Sequence, residues 1–319
     1  ALTTLNTGRI TLPAACVGLS GRCLEISTRW AREREQWGHP IGQHAAIAEK
    51  LARMAAEHHA LEATVRYISS LVDRDKHADV RLEAALAKMW GSEIAWRAVD
   101  DTLQIRGGRG FETAASLKAR GETPDPVERL FRDARINTIF EGSSEIMRLF
   151  IAREVLDPHL KIGAAAVNTR LPAVQRLRAA ARAGLHYLTW YPTRWLPVPL
   201  GASATPLPPD LKKDLRRIQR FSRRLSRAIF HSMARYGPAL ERRQLLLGTL
   251  VEIGAELFVW SCSLADAAQS LDDQPKRLRL ARHFGLIARD RIAQRFAALR
   301  RGTHDMQALS LSRDLVAVE

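Results

Sequence analysis

Residues 43–72, QHAAIAEKLARMAAEHHALEATVRYISSLV, place Ile47, Leu51, Met54, Ala55, His58 and Leu61 three or four positions apart. That spacing returns to one face at every turn of an α-helix and predicts one long helix over the whole stretch. The same rhythm recurs upstream in Leu12, Ala15, Cys16, Leu19, Cys23 and Ile26, a predicted helix over 10–35 that Gly38-His39-Pro40 terminates. A third helix is predicted from residue 78 to Gly107-Gly108, a pair that reads as a C-terminal stop. Residues 112–127, with Pro124 and Pro126, read as a loop. A short helix over 127–133 follows, then one that begins after Gly142 and ends before Pro158. No alternating apolar–polar run marks a strand. Long helices joined by short loops predict an all-α fold whose first part is an antiparallel four-helix bundle.

The composition agrees. Of 319 residues, 46% are apolar and 26% charged, which places the chain among folded and not disordered proteins, and aromatics are only 6%, which favours helix over sheet. Cys16, Cys23 and Cys262 are an odd number with no CxxC spacing, so neither a disulfide framework nor a structural zinc site is expected, and no metal site is predicted. A reducing compartment is the expectation, cytoplasm or mitochondrial matrix. No secretory leader and no run of 18 apolar residues is visible.

Charge divides the chain. Residues 1–160 hold 22 Lys and Arg against 22 Asp and Glu; residues 161–319 hold 27 against 12, the whole of the +15 surplus. Two domains, 1–160 and 161–319, are therefore expected, the second facing an anionic partner. In that second half, residues 187–209 carry two Trp, two Tyr and six Pro and read as non-helical, and helices are predicted over 210–236, 240–270 and 275–301. Between 211 and 235, Leu215, Ile218, Phe221, Leu225 and Ile229 form a stripe. Lys212, Lys213, Arg216, Arg217, Arg220, Arg223, Arg224 and Arg227 populate the rest. Such a helix either lies on anionic lipid, with Trp190, Tyr191 and Trp195 at the headgroups, or packs its stripe internally and leaves a solvated arginine face. Residues 244–270 lack Lys and Arg but include Glu252, Glu256 and Asp266, which argues for a buried helix.

One carboxylate stands out for chemistry. Glu141 follows the apolar pair Ile139-Phe140 and precedes Gly142-Ser143-Ser144 at a helix start. Apolar surroundings make a carboxylate a better proton acceptor from a weakly acidic carbon, while a helix N-terminus acts the other way. Taken alone, a Glu before a serine-capped helix is commonly structural.

Three segments in register add to this pattern: Arg34-Glu-Gln36-Trp37-Gly38-His39-Pro40-Ile41-Gly42, Gln104-Ile-Arg-Gly107-Gly108-Arg-Gly110-Phe111, and Phe140-Glu-Gly-Ser-Ser-Glu-Ile-Met-Arg-Leu-Phe-Ile-Ala-Arg-Glu154. Together they closely resemble the acyl-CoA dehydrogenase family over residues 1 to about 160. The family has an N-terminal helical domain, a middle β-domain and a C-terminal four-helix bundle. The resemblance implies that this chain begins at the bundle and corresponds to part of a longer enzyme. It also implies FAD as cofactor, a fatty acyl-CoA as substrate, α,β-dehydrogenation to the trans-2-enoyl-CoA, and an electron-transfer flavoprotein as acceptor.

Residue by residue, Glu141 matches the base that takes the α-proton. Some relatives carry that base on the first bundle helix, at the position of Gly8 here, which cannot serve. Gly142 matches a substrate contact near the thioester, and Asn6 and Arg9 match a stretch near the CoA arm. Arg34 and Gln36 match positions that reach FAD of a neighbouring subunit, where a guanidinium suits a pyrophosphate. Gln104, Gly107 and Gly108 match a second such contact, where missing side chains let backbone approach the dinucleotide. Ser143 and Glu145 match the stretch that touches FAD of the same subunit, although Glu145 stands where a neutral residue is frequent. Ala45 replaces a glutamine that contacts the adenine end in many relatives. The second half looks, by length and helix content, like the extra C-terminal domain of the very-long-chain branch, which accompanies dimers and membrane contact. A branch that binds DNA through a basic C-terminal region, and a non-catalytic oligomerisation partner, are the alternatives.

Overall fold

The computed structural model describes residues 2–197, 208–269 and 275–317, with side chains from Gly8 onward except Val167. The described residues contain twelve α-helices, three short 3-10 segments and one short hairpin. α1 spans Leu2–Glu33 and passes through Pro13. The strands β1 (Glu35–Gln36) and β2 (His39–Pro40) pair antiparallel, Glu35 with Pro40 and Gln36 with His39. Trp37 and Gly38, at φ 50° and 80°, close this two-residue hairpin with the left-handed backbone that such turns require. α2 (Ala45–Arg74) and α3 (Arg81–Arg106) follow.

Cross-contacts give the helix directions. Arg97 reaches Glu57 at 3.0 Å and Lys50 reaches Asp101 at 2.5 Å, so α2 and α3 run antiparallel. Ser20 meets His58 at 2.9 Å and joins α1 to α2. Ser27 donates to Thr102 at 3.0 Å and the Arg106 guanidinium lies over Trp30, so α1 and α3 run parallel. Cys23, Ala31, Met54, Ala98, Val99, Ile105 and Ala134 form one core between them.

Four short or middle-length helices complete the first half: α4 (Gly108–Phe111), α5 (Ala114–Ala119), α6 (Val127–Arg135) and the start of α7 (Ser144–Val167). The expected loop over 112–127 is thus partly helical. The Thr113 side chain caps α5, and Leu117 is fully buried. Asp125, 1% exposed, then receives Arg29 at 2.6 Å, Arg106 at 2.5 Å and Arg22 at 3.2 Å, which pins the proline-bordered segment to α1 and α3.

The chain divides into two compact units, residues 1–147 with 258–289, and residues 148–257 with 290–319. This division differs from a single cut near residue 160, because a late segment packs with the first helices. Phe284 meets Trp90 edge-on at 5.8 Å, Phe258 meets Tyr67 at 6.1 Å, and Asp266 pairs with Arg277 at 2.8 Å and with Arg66.

The second unit contains most of α7, then α8 (Ala173–Thr193), α9 (Pro209–Tyr236), part of α10 (Gln244–Gln269), the end of α11 (Pro275–Arg301) and α12 (Asp305–Val316). Two expectations need correction here. α7 continues through Pro158, and α8 includes 187–193 with Pro192 inside. Proline removes one hydrogen bond from each helix, and aromatic packing beside it supplies the offset. His159 stacks on Tyr187 and bonds its hydroxyl at 3.0 Å, while Tyr191 packs on Phe230 and meets His231 at 2.7 Å. Residues 198–207 of the proline-rich stretch lie outside the described residues.

Of the two fates weighed for the basic helix, α9 adopts internal packing. Leu211 and Ile218 are buried, Phe221 stacks on Phe296 at 6.1 Å, and Leu225 faces Gly254. Arg223 and Arg227 donate to the carbonyls of Leu196 and Arg194, just past the C-terminal end of α8. Lys212, Lys213, Arg216 and Arg220 remain exposed. Trp190 and Tyr191 are half-buried among His159, Phe230 and His231, and Trp195 lies under Arg227.

α10 is long and apolar enough to cross a membrane, yet 67% of its most apolar window is buried. In the second unit, Glu252 accepts from Arg148 at 2.9 Å and from Arg295 at 2.8 Å. Burial would raise the Glu252 carboxyl, but these two guanidinium groups hold it below its ordinary value.

Candidate active site

Glu141 lies between the 3-10 turn Ile136–Thr138 and the start of α7. Its backbone is left-handed at φ 56°, and Gly142 follows at φ 102°. A left-handed glutamate is a costly conformation, kept where the surroundings over-determine it. The Ser143 carbonyl accepts from Met147 N–H at 2.8 Å and its hydroxyl from Ile146 N–H at 3.4 Å, so Ser143 acts as the N-cap of α7. Glu145 is exposed in the first turn of α7, where the helix dipole favours an acid.

The turn folds the Glu141 side chain back onto α1. A methyl group built on Gly8 would come within 2.6 Å of Oε2, 2.7 Å of Oε1 and 2.9 Å of Cδ. Gly8 is therefore the floor against which the carboxylate rests, and any side chain there would occupy the same place. Oε2 is buried and has no hydrogen-bond partner. The dry environment does not come from the neighbours in sequence, as first expected: Ile139 is 50% exposed and Phe140 41%. Oε2 is covered instead where the carboxylate rests on Gly8 of α1.

On α3, Lys88 is fully buried and donates to the Gly142 carbonyl at 2.6 Å. Burial holds this ammonium below its ordinary pKa, while Glu141 acts in the opposite direction; Arg9 on α1 lowers it further. The sequence reading missed Lys88. Its signal was a lone charge in the apolar run Ala84–Trp90. Asn6 belongs to the first turns of α1, and its side chain lies outside the described residues.

The remaining predicted residues gather elsewhere in the same unit. Arg34 and Gln36 are exposed at the hairpin after α1, with the Gln36 carbonyl 3.0 Å from His44 and Trp37 87% exposed. Gln104, Gly107 and Gly108 are exposed at the end of α3. Gly107 at φ 59° requires glycine, and a Cβ on Gly107 or Gly108 would meet nothing within 4 Å. Because α1 and α3 run parallel, these two groups share one end of the unit. Gln104 is about 24 Å beyond Lys88 along α3. One chain thus presents a carboxylate site and, separately, a surface of open backbone with an exposed guanidinium and amide, suited to a phosphate-bearing ligand.

Residues 1–156 match the family model for the acyl-CoA dehydrogenase C-terminal domain. The chain is 46% identical over 311 residues to the probable acyl-CoA dehydrogenase FadE10 of Mycobacterium tuberculosis, covering 94% of this chain and 46% of that protein. It is 39% identical over 148 residues to the very long-chain specific acyl-CoA dehydrogenase of Bos taurus, 46% of this chain and 21% of that one. An acyl-CoA dehydrogenase from Bacillus anthracis, solved with FAD, superposes with a TM-score of 0.70 at 24% identity, covering all of this chain and 53% of its own; at that identity the likeness is one of fold. The chain spans about half the length of the full-length mycobacterial relative. The second half is covered by the mycobacterial relative and the Bacillus fold, whereas 148 residues of similarity to the bovine enzyme are too few to span both halves. By its first 156 residues, which match that domain, and its 46% identity to the mycobacterial protein, the chain belongs to the acyl-CoA dehydrogenase family.

Proposed function

We propose that this chain carries the base and part of the cofactor-facing surface of an enzyme that converts a fatty acyl-CoA to its trans-2-enoyl-CoA. The observation that supports it most is the Glu141 carboxylate, held on Gly8 with Oε2 buried and unpartnered. An oxygen that no donor occupies keeps its lone pairs for a proton. Glu141 takes the α-proton of the thioester and becomes a carboxylic acid, as the electron pair it frees forms the new C=C bond. Bound FAD would supply the acceptor for the β-hydrogen and its electron pair.

The chain's own residues fit that cofactor where the resemblance assigns them. Arg34 offers exposed charged donors, and Gly107-Gly108 offers uncovered backbone. Gln104 lies about 24 Å along α3 from Lys88, which bonds the Gly142 carbonyl, a separation that accords with contacts to two different FAD molecules in an oligomer. Ser143 retains its hydroxyl near the base, although here it already caps α7. Gly142, next to Glu141, and Arg9, next to Gly8, are the residues that the resemblance assigns to the thioester and the CoA arm. An electron-transfer flavoprotein as acceptor, a dimer as the working assembly and a long acyl chain follow from the resemblance alone. Because the mycobacterial relative is about twice as long, the reaction is assigned to a polypeptide or assembly that also supplies the parts this chain does not match. Peripheral contact with an anionic membrane, or with DNA, would use the exposed row Lys212, Lys213, Arg216 and Arg220, since the apolar stripe of α9 is packed.

The test is Glu141→Gln in the flavin-loaded enzyme. Turnover is expected to fall by about two to four orders of magnitude with FAD content unchanged. Turnover near that of the unmodified enzyme refutes the assignment.

A further inference from the structure

We propose that Lys88 is a positioning residue: its buried ammonium, bonded to the Gly142 carbonyl, fixes the left-handed Glu141–Gly142 turn and thereby the place of the Glu141 carboxylate. The effect on turnover rests on Glu141 being the base; the anchoring itself does not.

Lys88 sits in mid-α3 with Ala84, Ala85, Ala87 and Met89 all buried around it in sequence. An apolar side chain of that length would fill the space without removing a charge from water. The charge must therefore be matched by something near it. Among the described residues its one hydrogen bond is to Gly142, 54 positions later and on another element. Four ionisable groups act on it: Glu141 from the turn, Cys16 and Arg9 from α1, and Glu93 from α3 itself. Cys16 is pushed up to about 12 by burial and stays a neutral thiol.

The turn needs an anchor. A left-handed glutamate is strained, while the glycine after it is not, and the nearest backbone hydrogen bonds lie on either side of the pair, Phe140 N–H to Ile136 and Met147 N–H to Ser143. Between those points the Lys88 bond is what ties Glu141–Gly142 to the helical core. Without it the turn can relax toward right-handed backbone, which would swing the carboxylate off Gly8.

The experiment compares Lys88→Met with the unmodified 319-residue chain by amide hydrogen exchange and melting, which need no flavin. Exchange in peptides covering 139–147 is expected to be at least about tenfold faster, with α2 unchanged and the melting temperature no lower. In the flavin-loaded enzyme, kcat should fall while KM and FAD content hold. Unchanged exchange over 139–147, or faster exchange throughout α1–α3 with a lower melting temperature, overturns the proposal. Should Lys88→Met not fold, Lys88→Gln carries the comparison, since its amide ends one bond short of the ammonium. It must show the same local loosening, and full protection overturns the idea. Glu141→Gln measured alongside separates the two readings: turnover retained there with loosening in Lys88→Met removes the base and keeps the anchor, and the converse removes the anchor alone.

Discussion

Gly8 and Glu141 are 133 positions apart and meet because α1 carries one past the turn that holds the other. The absence of a side chain at residue 8 is what makes room for the carboxylate. Gly8→Ala would bring a methyl group to 2.6–2.9 Å of three carboxyl atoms, closer than non-bonded atoms tolerate. The obstructed group is the end of a flexible side chain, so the relief is movement of the carboxylate, with little loss of stability. Turnover of the flavin-loaded enzyme should fall up to about a hundredfold, because small misplacements of a reacting group are costly. Its melting temperature should change little. Full turnover in Gly8→Ala would show that the carboxylate works from another position.

At the scale of elements, the segment between α3 and α6 depends on Asp125. Three guanidinium groups converge on it, and one of them, Arg106, is itself buried and lies over Trp30. Asp125→Ala would leave that charge uncompensated in the core, a loss of about 3–5 kcal/mol by the usual cost of breaking a buried pair. Urea unfolding measures it directly. A loss within about 0.5 kcal/mol, the range of surface substitutions, would mean that the cluster is spectator to the fold. The same end of α3 carries Gln104 and Gly107-Gly108. Asp125→Ala should accordingly also raise hydrogen exchange over 104–111, and unchanged protection there would separate the cluster from the proposed cofactor surface.

For the whole molecule, the first compact unit is completed by residues 258–289. Phe284 is fully buried against Trp90, Phe258 packs on Ile68, Val80 and Ala87, and His59 lies 3.9 Å from Asp266. A chain cut at 160 would expose these faces. We expect residues 1–160 alone to melt well below the intact chain, or to aggregate, while the intact chain stays monodisperse. Equal melting temperatures would show that the late segment adds nothing. The pH dependence has a defined sign. Burial lowers the pKa of His58 and of His59, so the unfolded chain binds protons first as pH falls. Stability should therefore decline below about pH 6.5. Replacing both by Gln should flatten that decline.

The helical class, the long helices α1, α2 and α3, and the family were legible in the residues alone, because three-to-four spacing and three motifs in register are local properties. The sequence also singled out Glu141, through its motif. It misjudged what covers that carboxylate, since Ile139 and Phe140 are neighbours in the chain while Gly8 is its neighbour in space. It ended α7 at Pro158 and left 187–193 unhelical, because the proline rule is local and the packing of His159, Tyr187, Tyr191 and Phe230 is not. Charge alone suggested a cut near 160, whereas the return of 258–289 to the first helices depends on apolar faces that no single segment reveals. Packing in the folded chain selects which of two adjacent properties of α9 is used internally, its stripe, and which remains in water, the row Lys212, Lys213, Arg216 and Arg220. A helix fixes the angular order of its side chains, but what lies against each face is settled by segments far away in the chain.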